Sequence, residues 1–352
     1  MVRARVSDTP DPDEVLFHDA MTQGGRAHRK PFRLWCQLGK HEFELFEEST
    51  YYKAIRRILG DDVSPDWWLV QNAEASLQFV PNQGSGSDTI QVLVDGKVVG
   101  RFYEVDARNY SGVLSYLVEQ GWIPRVSAEV GGKFELDPDY DSIGNEIERK
   151  RFFGNVRLDL SEPHLVVPAN EPPPNRHVVV PQGYPVRFAT TAELDPLIPL
   201  SGGEGEAWVY ATLQEALVQD AHAFRDTVEV KVNGLAVGLL DPDDAAPLLQ
   251  AIRRFTKRGV TSAGRALVEA NDRGVSFDLH VGRSDPLSRE FFDTVPTQGQ
   301  PRDTPSSVRF NPPPGWPLPL PGWLPRPWWT PPEQLPRAPE DWQWQLPAPP
   351  LS

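Results

Sequence analysis

Asp88-Thr89-Ile90-Gln91-Val92-Leu93-Val94-Asp95-Gly96-Lys97-Val98-Val99-Gly100 is met again, without a gap, as Asp226-Thr227-Val228-Glu229-Val230-Lys231-Val232-Asn233-Gly234-Leu235-Ala236-Val237-Gly238. The offset of 138 residues holds further out, through Asp106-Ala107 over Asp244-Ala245, Gly121 over Gly259 and Ala128 over Ala266. A match held at one offset over about forty residues marks an internal duplication, so the chain reads as two copies of one module. In each copy an Asp-Gly or Asn-Gly pair sits between alternating apolar runs. That is the signal of a β-hairpin with a type I′ turn, whose two central residues both need positive φ.

Outward from the hairpin, the spacing of Tyr110, Val113, Leu114 and Leu117 predicts a helix over 106–119. Leu248, Leu249, Ile252 and Phe255 predict its partner over 243–258, and Gly121 and Gly259 stand where a left-handed C-terminal stop belongs. Upstream, Ala54, Ile55, Ile58 and Leu59 predict a helix over 49–60, with Ser49 as cap, Gly60 as stop, and Lys53, Arg56 and Arg57 facing outward. The second copy has no evident counterpart of this helix. Short β-type runs at 67–70 and 77–80, with strands over 123–130 and 152–160, complete the first module. Strands over 184–189, 207–213, 228–239, 263–270 and 276–281 build the second. The expected class is α+β: two strand-rich modules with packed helices.

Composition divides the rest of the chain. The 352 residues include 37 prolines, about twice the usual share of roughly 5%, so much of the chain is non-regular. Residues 1–30 are polar and aperiodic and read as a disordered arm. Module 1 is assigned to 31–160, a Pro-rich linker to 161–180, module 2 to 181–285, a second linker to 286–310 and a Pro/Trp-rich tail to 311–352. A formal charge of −14 opposes indiscriminate attraction to phosphate, so nucleic-acid binding would need a local basic patch. Cys36 is the single cysteine, which excludes an intrachain disulfide and a multi-cysteine zinc site. No apolar run approaches the length of a membrane span, and the first residues lack a signal-peptide core. The expectation is a soluble, cytoplasmic protein with no membrane partner.

Taken together, the Ser49-x-x-Tyr52 helix, the Val94-Asp95-Gly96-x-x-Val99-Gly100 hairpin and the helix ending in Gly121-Trp122-Ile123-Pro124-Arg125-Val126-Ser127-Ala128 resemble a HIRAN domain. The resemblance covers residues 42–136, with a more degenerate copy over 183–281. It implies small β-barrels with packed helices. In helicase-type chromatin remodelling proteins such a domain recognises the ends of single-stranded DNA. The family's Asn-Pro-Tyr-Asp segment is replaced here by Gln83-Gly84-Ser85-Gly86-Ser87-Asp88. Single-strand binding uses cations interleaved with aromatics. The candidates are Arg56, Arg57, Arg101, Tyr103 and Trp122 in the first module and Arg253, Arg254, Lys257 and Arg258 in the second, with DNA or RNA ends as the partner. A solvated helix face is the alternative for the same residues.

Asp137, Asp139, Asp141 and Glu148 fall at positions 1, 3, 5 and 12 of a calcium-loop window, although Ser142 stands where the loop needs glycine. An acidic hairpin loop is the other reading. No phosphate-binding loop, nucleophile elbow or paired metal-ligand histidines are present, so neither a cofactor nor an enzymatic role is expected.

The last 42 residues hold 15 prolines and six of the 11 tryptophans: Trp316, Trp323, Trp328, Trp329, Trp342 and Trp344. They resemble the Pro/Trp repeats that end many actinobacterial proteins. A spacing of six places side chains on one face of a polyproline helix. Two readings stay open. The tail is a ligand for a protein partner's groove, with the protein acting as an adaptor, or its indoles dock back onto the chain as a strap.

Overall fold

The computed structural model describes residues 30–35, 39–80, 89–140, 146–186, 188–190, 193–219, 224–282, 291, 296 and 308–347. Apart from Lys30, the N-terminal arm lies outside the described residues, as do Cys36, 83–88 and most of 286–310. The chain divides into two compact units, Met1–Pro163 and His164–Ser352. Each is α+β, a strand-rich sheet curled into a half-barrel with a few packed helices.

Unit 1 comprises β1 (Lys30–Arg33), β2 (Phe43–Glu44), α1 (Tyr52–Leu59), β3 (Leu69–Val80), β4 (Thr89–Val94), β5 (Lys97–Arg101), α2 (Glu104–Glu119), β6 (Trp122–Tyr140) and β7 (Glu146–Leu158). The sheet runs β2-β7-β6-β3-β4-β5, with β1 parallel to β6. Asp95 (φ 50°) and Gly96 (φ 73°) both take the left-handed conformation that the type I′ turn requires. One short segment touches both edges of the sheet: Phe43 pairs with Leu158 of β7, and Phe46 bridges to Arg101 of β5. Gly100 permits that closure, since a Cβ there would lie 2.7 Å from Leu45 Cδ1. Tyr110, Val113, Leu114 and Leu117 of α2 and Ile55 and Leu59 of α1 are buried, as their spacing predicts. Ser49 does not cap α1. It lies in a 3-10 turn, Glu48–Tyr51, whose N-cap is Glu47 in the left-handed region (φ 57°).

Unit 2 repeats this plan with β8 (His177–Val179), β9 (Pro185–Val186), β10 (Phe188–Thr190), α3 (Ile198–Ser201), β11 (Glu206–Gln219), β12 (Phe224–Val232), β13 (Leu235–Leu240), α4 (Pro242–Thr256), β14 (Thr261–Asn271) and β15 (Gly274–His280). The hairpins match in detail. Asn233 and Gly234 again take positive φ, and the β-bulge between Val92 and Leu93 recurs between Val230 and Lys231. β8 runs parallel to β14 as β1 does to β6, while β9 pairs with β15 and β10 with β13. Strand pairing therefore makes Val186 the counterpart of Phe43, and Ala189 that of Phe46.

Three expectations are corrected. The second copy does have a counterpart of the first helix, a 3-10 turn at Asp195–Leu197 followed by α3. Pro196, Pro199 and Gly202 cut it to a single helical turn and erase the periodicity that would reveal it. The 161–180 segment is structure rather than linker. Val166, Val167 and Val178 are buried, and the buried Asn170 accepts a hydrogen bond from Tyr210 N and donates one to Tyr210 O.

The third correction concerns the tail, which is a chain of β-turns rather than a polyproline helix. Backbone N–H groups of Trp316, Trp323, Trp329, Leu335 and Trp342 each donate to the carbonyl three residues earlier. Gly315 (φ 85°) and Gly322 (φ 71°) follow prolines, the chemistry of type II turns. Closing this loop, β16 (Val308–Phe310) pairs with β17 (Gln345–Pro347).

The turns direct their indoles onto unit 2. Phe310, Trp316, Leu320 and Trp323 are buried in the same core as Val209, Leu248 and Phe255. Trp323 Nε1 donates to Ala169 O, Trp329 Nε1 to Pro199 O, Trp316 Nε1 to Pro336 O and Trp342 Nε1 to Asn311 O. Trp344 stacks on Phe310 with ring centres 6.0 Å apart, and Trp328 is half-buried. Arg326 anchors the strap to Glu171 at 2.8 Å.

Candidate nucleic-acid interface

Five cation and aromatic candidates came from the first module, and the fold joins two of them. Arg101 ends β5 and Tyr103 stands at the N-cap of α2. Between them comes a residue that sequence reasoning missed. Phe46 is carried in by the closing segment, 5.0 Å from the Tyr103 ring and 5.1 Å below the Arg101 guanidinium. Phe46 and Tyr103 are 37% and 44% exposed, so the two rings and the cation form an open platform rather than a core cluster.

A second missed residue, Glu47, places its carboxylate 2.7 Å from Arg101 Nη2. The Arg101 Nε is buried and has no hydrogen-bond acceptor among the described residues.

The remaining candidates are dispersed. Arg56 lies over the Phe134 ring at 5.1 Å, Arg57 is exposed on α1, and Trp122 meets Phe32 edge to face at 6.0 Å. No hydrogen bond, ion pair or ring contact joins these three to the platform among the described residues. In unit 2, Arg253 is held by Glu215 and Asp226 at 2.5 and 2.6 Å, so its charge is met by its own chain. Arg254 and Lys257 are exposed on α4 and just beyond it, and Arg258 lies 6.0 Å from the Phe255 ring.

Unit 2 has different residues at the matching positions. Register assigns Ala189, Leu239 and Asp241 to the positions of Phe46, Arg101 and Tyr103. Asp241 does what an N-cap ordinarily does, its carboxylate accepting from Asp243 N at 2.9 Å. Tyr103 makes no side-chain cap. An uncapped N-terminus costs about 1 kcal/mol, so unit 1 gives up local stability for an exposed ring. The signal was legible in the aligned copies, where Tyr103 stands over Asp241.

The calcium reading fails. Asp137 and Asp139 lie in β6 and Glu148 in β7, where Pro138 faces Glu148 across a paired ladder. A calcium loop must wrap one ion with a single turn, and a two-stranded ribbon does not. Asp141 lies outside the described residues.

One further polar group belongs to unit 1. His41 Nε2 is 3.0 Å from Ser127 Oγ, and its Nδ1 is 3.5 Å from Glu129. Ser127 sits within a strand paired to β3, not on a turn that would aim its hydroxyl outward. The group reads as a pin that holds the 39–44 segment against β6.

Comparison with family models, with curated proteins and with solved structures returned no match for this chain. Among the described residues no helix is long and apolar enough to cross a membrane.

Proposed function

We propose that this is a non-enzymatic binding protein whose first unit, a HIRAN-like module, holds the end of a single-stranded nucleic acid on Phe46, Arg101 and Tyr103. The observation that carries the reading is the exchange at the helix N-cap: an exposed tyrosine in unit 1 where unit 2 keeps a capping aspartate. Departures from a local rule concentrate at functional sites. Any base can stack on the two rings, and Arg101 supplies the cation for the backbone. Unit 2 then serves as scaffold, and the tail, with its indoles turned onto that unit, serves as its strap. An adaptor role for the tail has less support, because most of the side chains a partner would grasp are already engaged.

Fluorescence anisotropy with labelled single-stranded, blunt and recessed-end DNA, at low and moderate salt, tests the reading. Tyr103→Ala and Arg101→Ala should each weaken single-strand binding by about tenfold or more, since one stacked base is worth roughly 1–3 kcal/mol. Affinity indifferent to both substitutions, or no binding at all in low salt, would overturn it.

A further inference from the structure

The anion seat on Arg101 is already taken, and by the protein itself. Glu47 reaches Arg101 Nη2 at 2.7 Å from a left-handed backbone position (φ 57°) that few residues other than glycine, asparagine and aspartate adopt readily. Both side chains remain well exposed, so water screens the pair and holds it weakly. The carboxylate also serves the guanidinium incompletely, because Arg101 Nε has no acceptor among the described residues. A guanidinium presents donors in a fixed fork that a tetrahedral oxyanion can meet with two oxygens at once.

We propose that Glu47 is a built-in competitor at this seat, and that the ligand able to displace it is a terminal phosphate monoester on a single-stranded end. The inference rests on the reading of the platform as a nucleic-acid seat. A backbone phosphodiester carries one negative charge, no more than the carboxylate it must replace. A terminal phosphate carries about −1.5 to −2 at neutral pH and three acceptor oxygens, so it outcompetes Glu47 where a diester does not. The base beside it then stacks on Phe46 and Tyr103. Glu47 thus sets a threshold at Arg101 that a phosphorylated end clears and the interior of a strand does not. In unit 2 the positions of Arg101 and Phe46 are held by Leu239 and Ala189.

The test measures the full-length protein, and its Glu47→Gln and Glu47→Asn variants, against short single-stranded DNA. The oligonucleotides carry a phosphate at the 5′ end, at the 3′ end, or at neither. Asparagine tolerates the left-handed backbone, so one variant remains informative if the other misfolds, and thermal melts report which are folded. The wild type should prefer a phosphorylated end by about fivefold to tenfold, the scale of one charge-assisted hydrogen bond. Removing the charge should tighten phosphate-ended DNA several-fold, tighten hydroxyl-ended DNA by no more than that, and leave the preference for a phosphorylated end in place or larger. If the wild type binds DNA but the variants bind phosphate-ended DNA no more tightly than it does, Glu47 is no competitor, and the nucleic-acid reading stands without it. If neither wild type nor variants bind any oligonucleotide, both readings fall together.

Discussion

Tyr103 and Asp241 occupy one position in two copies of one fold, each starting the helix that packs across its half-barrel. Asp241 closes the helix end with its own carboxylate, whereas Tyr103 leaves its end uncapped and shows a ring to solvent. The same divergence runs through the neighbouring positions, Phe46 against Ala189 and Arg101 against Leu239. What unit 2 gains instead is cover. The tail lays a run of turns over it and buries Trp316, Leu320 and Trp323 in its core. One copy shows two rings and a cation at this position, while the other shows a capping aspartate there and is covered elsewhere by the tail, so a shared backbone plan carries different side chains.

The comparison can be broken most decisively at the tail. Ending the chain after residue 307 removes Phe310, Trp316 and Trp323 from the core of unit 2 at once. Unit 2 should then be digested readily in limited proteolysis while a fragment spanning unit 1 survives. Survival of both units would show that the strap is an addition to a self-sufficient core.

A single substitution gives the next largest effect. Trp323 is buried and its Nε1 donates to Ala169 O, so Trp323→Ala should cost unit 2 about 3–5 kcal/mol. The readout is the unit 2 transition in denaturant, with the unit 1 transition as internal control. Gly100→Ala strikes the opposite unit. Its new Cβ would meet Leu45 Cδ1 at 2.7 Å, where the closing segment crosses the sheet, and overpacking of that kind costs about 1–3 kcal/mol. A unit 1 transition left in place would mean that the closing segment can shift without loss.

Tyr103→Asp sharpens the contrast by turning one copy into the other. It should stabilise unit 1 by about 1 kcal/mol through the restored cap and abolish the aromatic platform in the same step. Thermal melts and anisotropy should therefore move in opposite directions. A variant that gained stability and kept its affinity would remove Tyr103 from the site.

Legibility in the sequence followed the range of the interactions. Both hairpins, their positive-φ turns and both long helices could be read because each is set by residues within a dozen positions. The segment that closes each half-barrel could be read only as a short strand, over 43–46 and over 184–189, because the residues it pairs with lie far along the chain. For the same reason Arg101 and Tyr103 could be proposed from one short stretch, while Phe46 and Glu47, which complete the patch, escaped notice. In the tail, Pro-Gly-Trp was weighed by its spacing, whereas the glycine after each proline fixes a turn. Spacing then counted for less than the conformation of one residue.

Acidification should separate the units by the smallest margin. In unit 2, burial pushes the pKa of His177 and of His280 below the ordinary 6.5. Hydrogen bonds to the Asn175 and Gly183 carbonyls offset this only in part. A histidine held neutral in the fold takes up its proton more readily when unfolded, so its stabilising contribution is present above about 6.5 and is lost as the pH falls below it. Unit 1 has the opposite case. Glu48 is half-buried, accepts from Val156 N at 2.8 Å, and is raised above 4.5 chiefly by desolvation. Its charged form burdens the fold at neutral pH, and protonation relieves that burden as the pH descends through the raised value toward 4.5. Between pH 7 and about 5 the unit 2 transition in a calorimetric scan should therefore move down relative to that of unit 1. His177→Asn should narrow the gap, because it removes one of the two titrating groups. A gap that does not widen on acidification would mean that the two imidazoles are as well solvated in the fold as in the open chain.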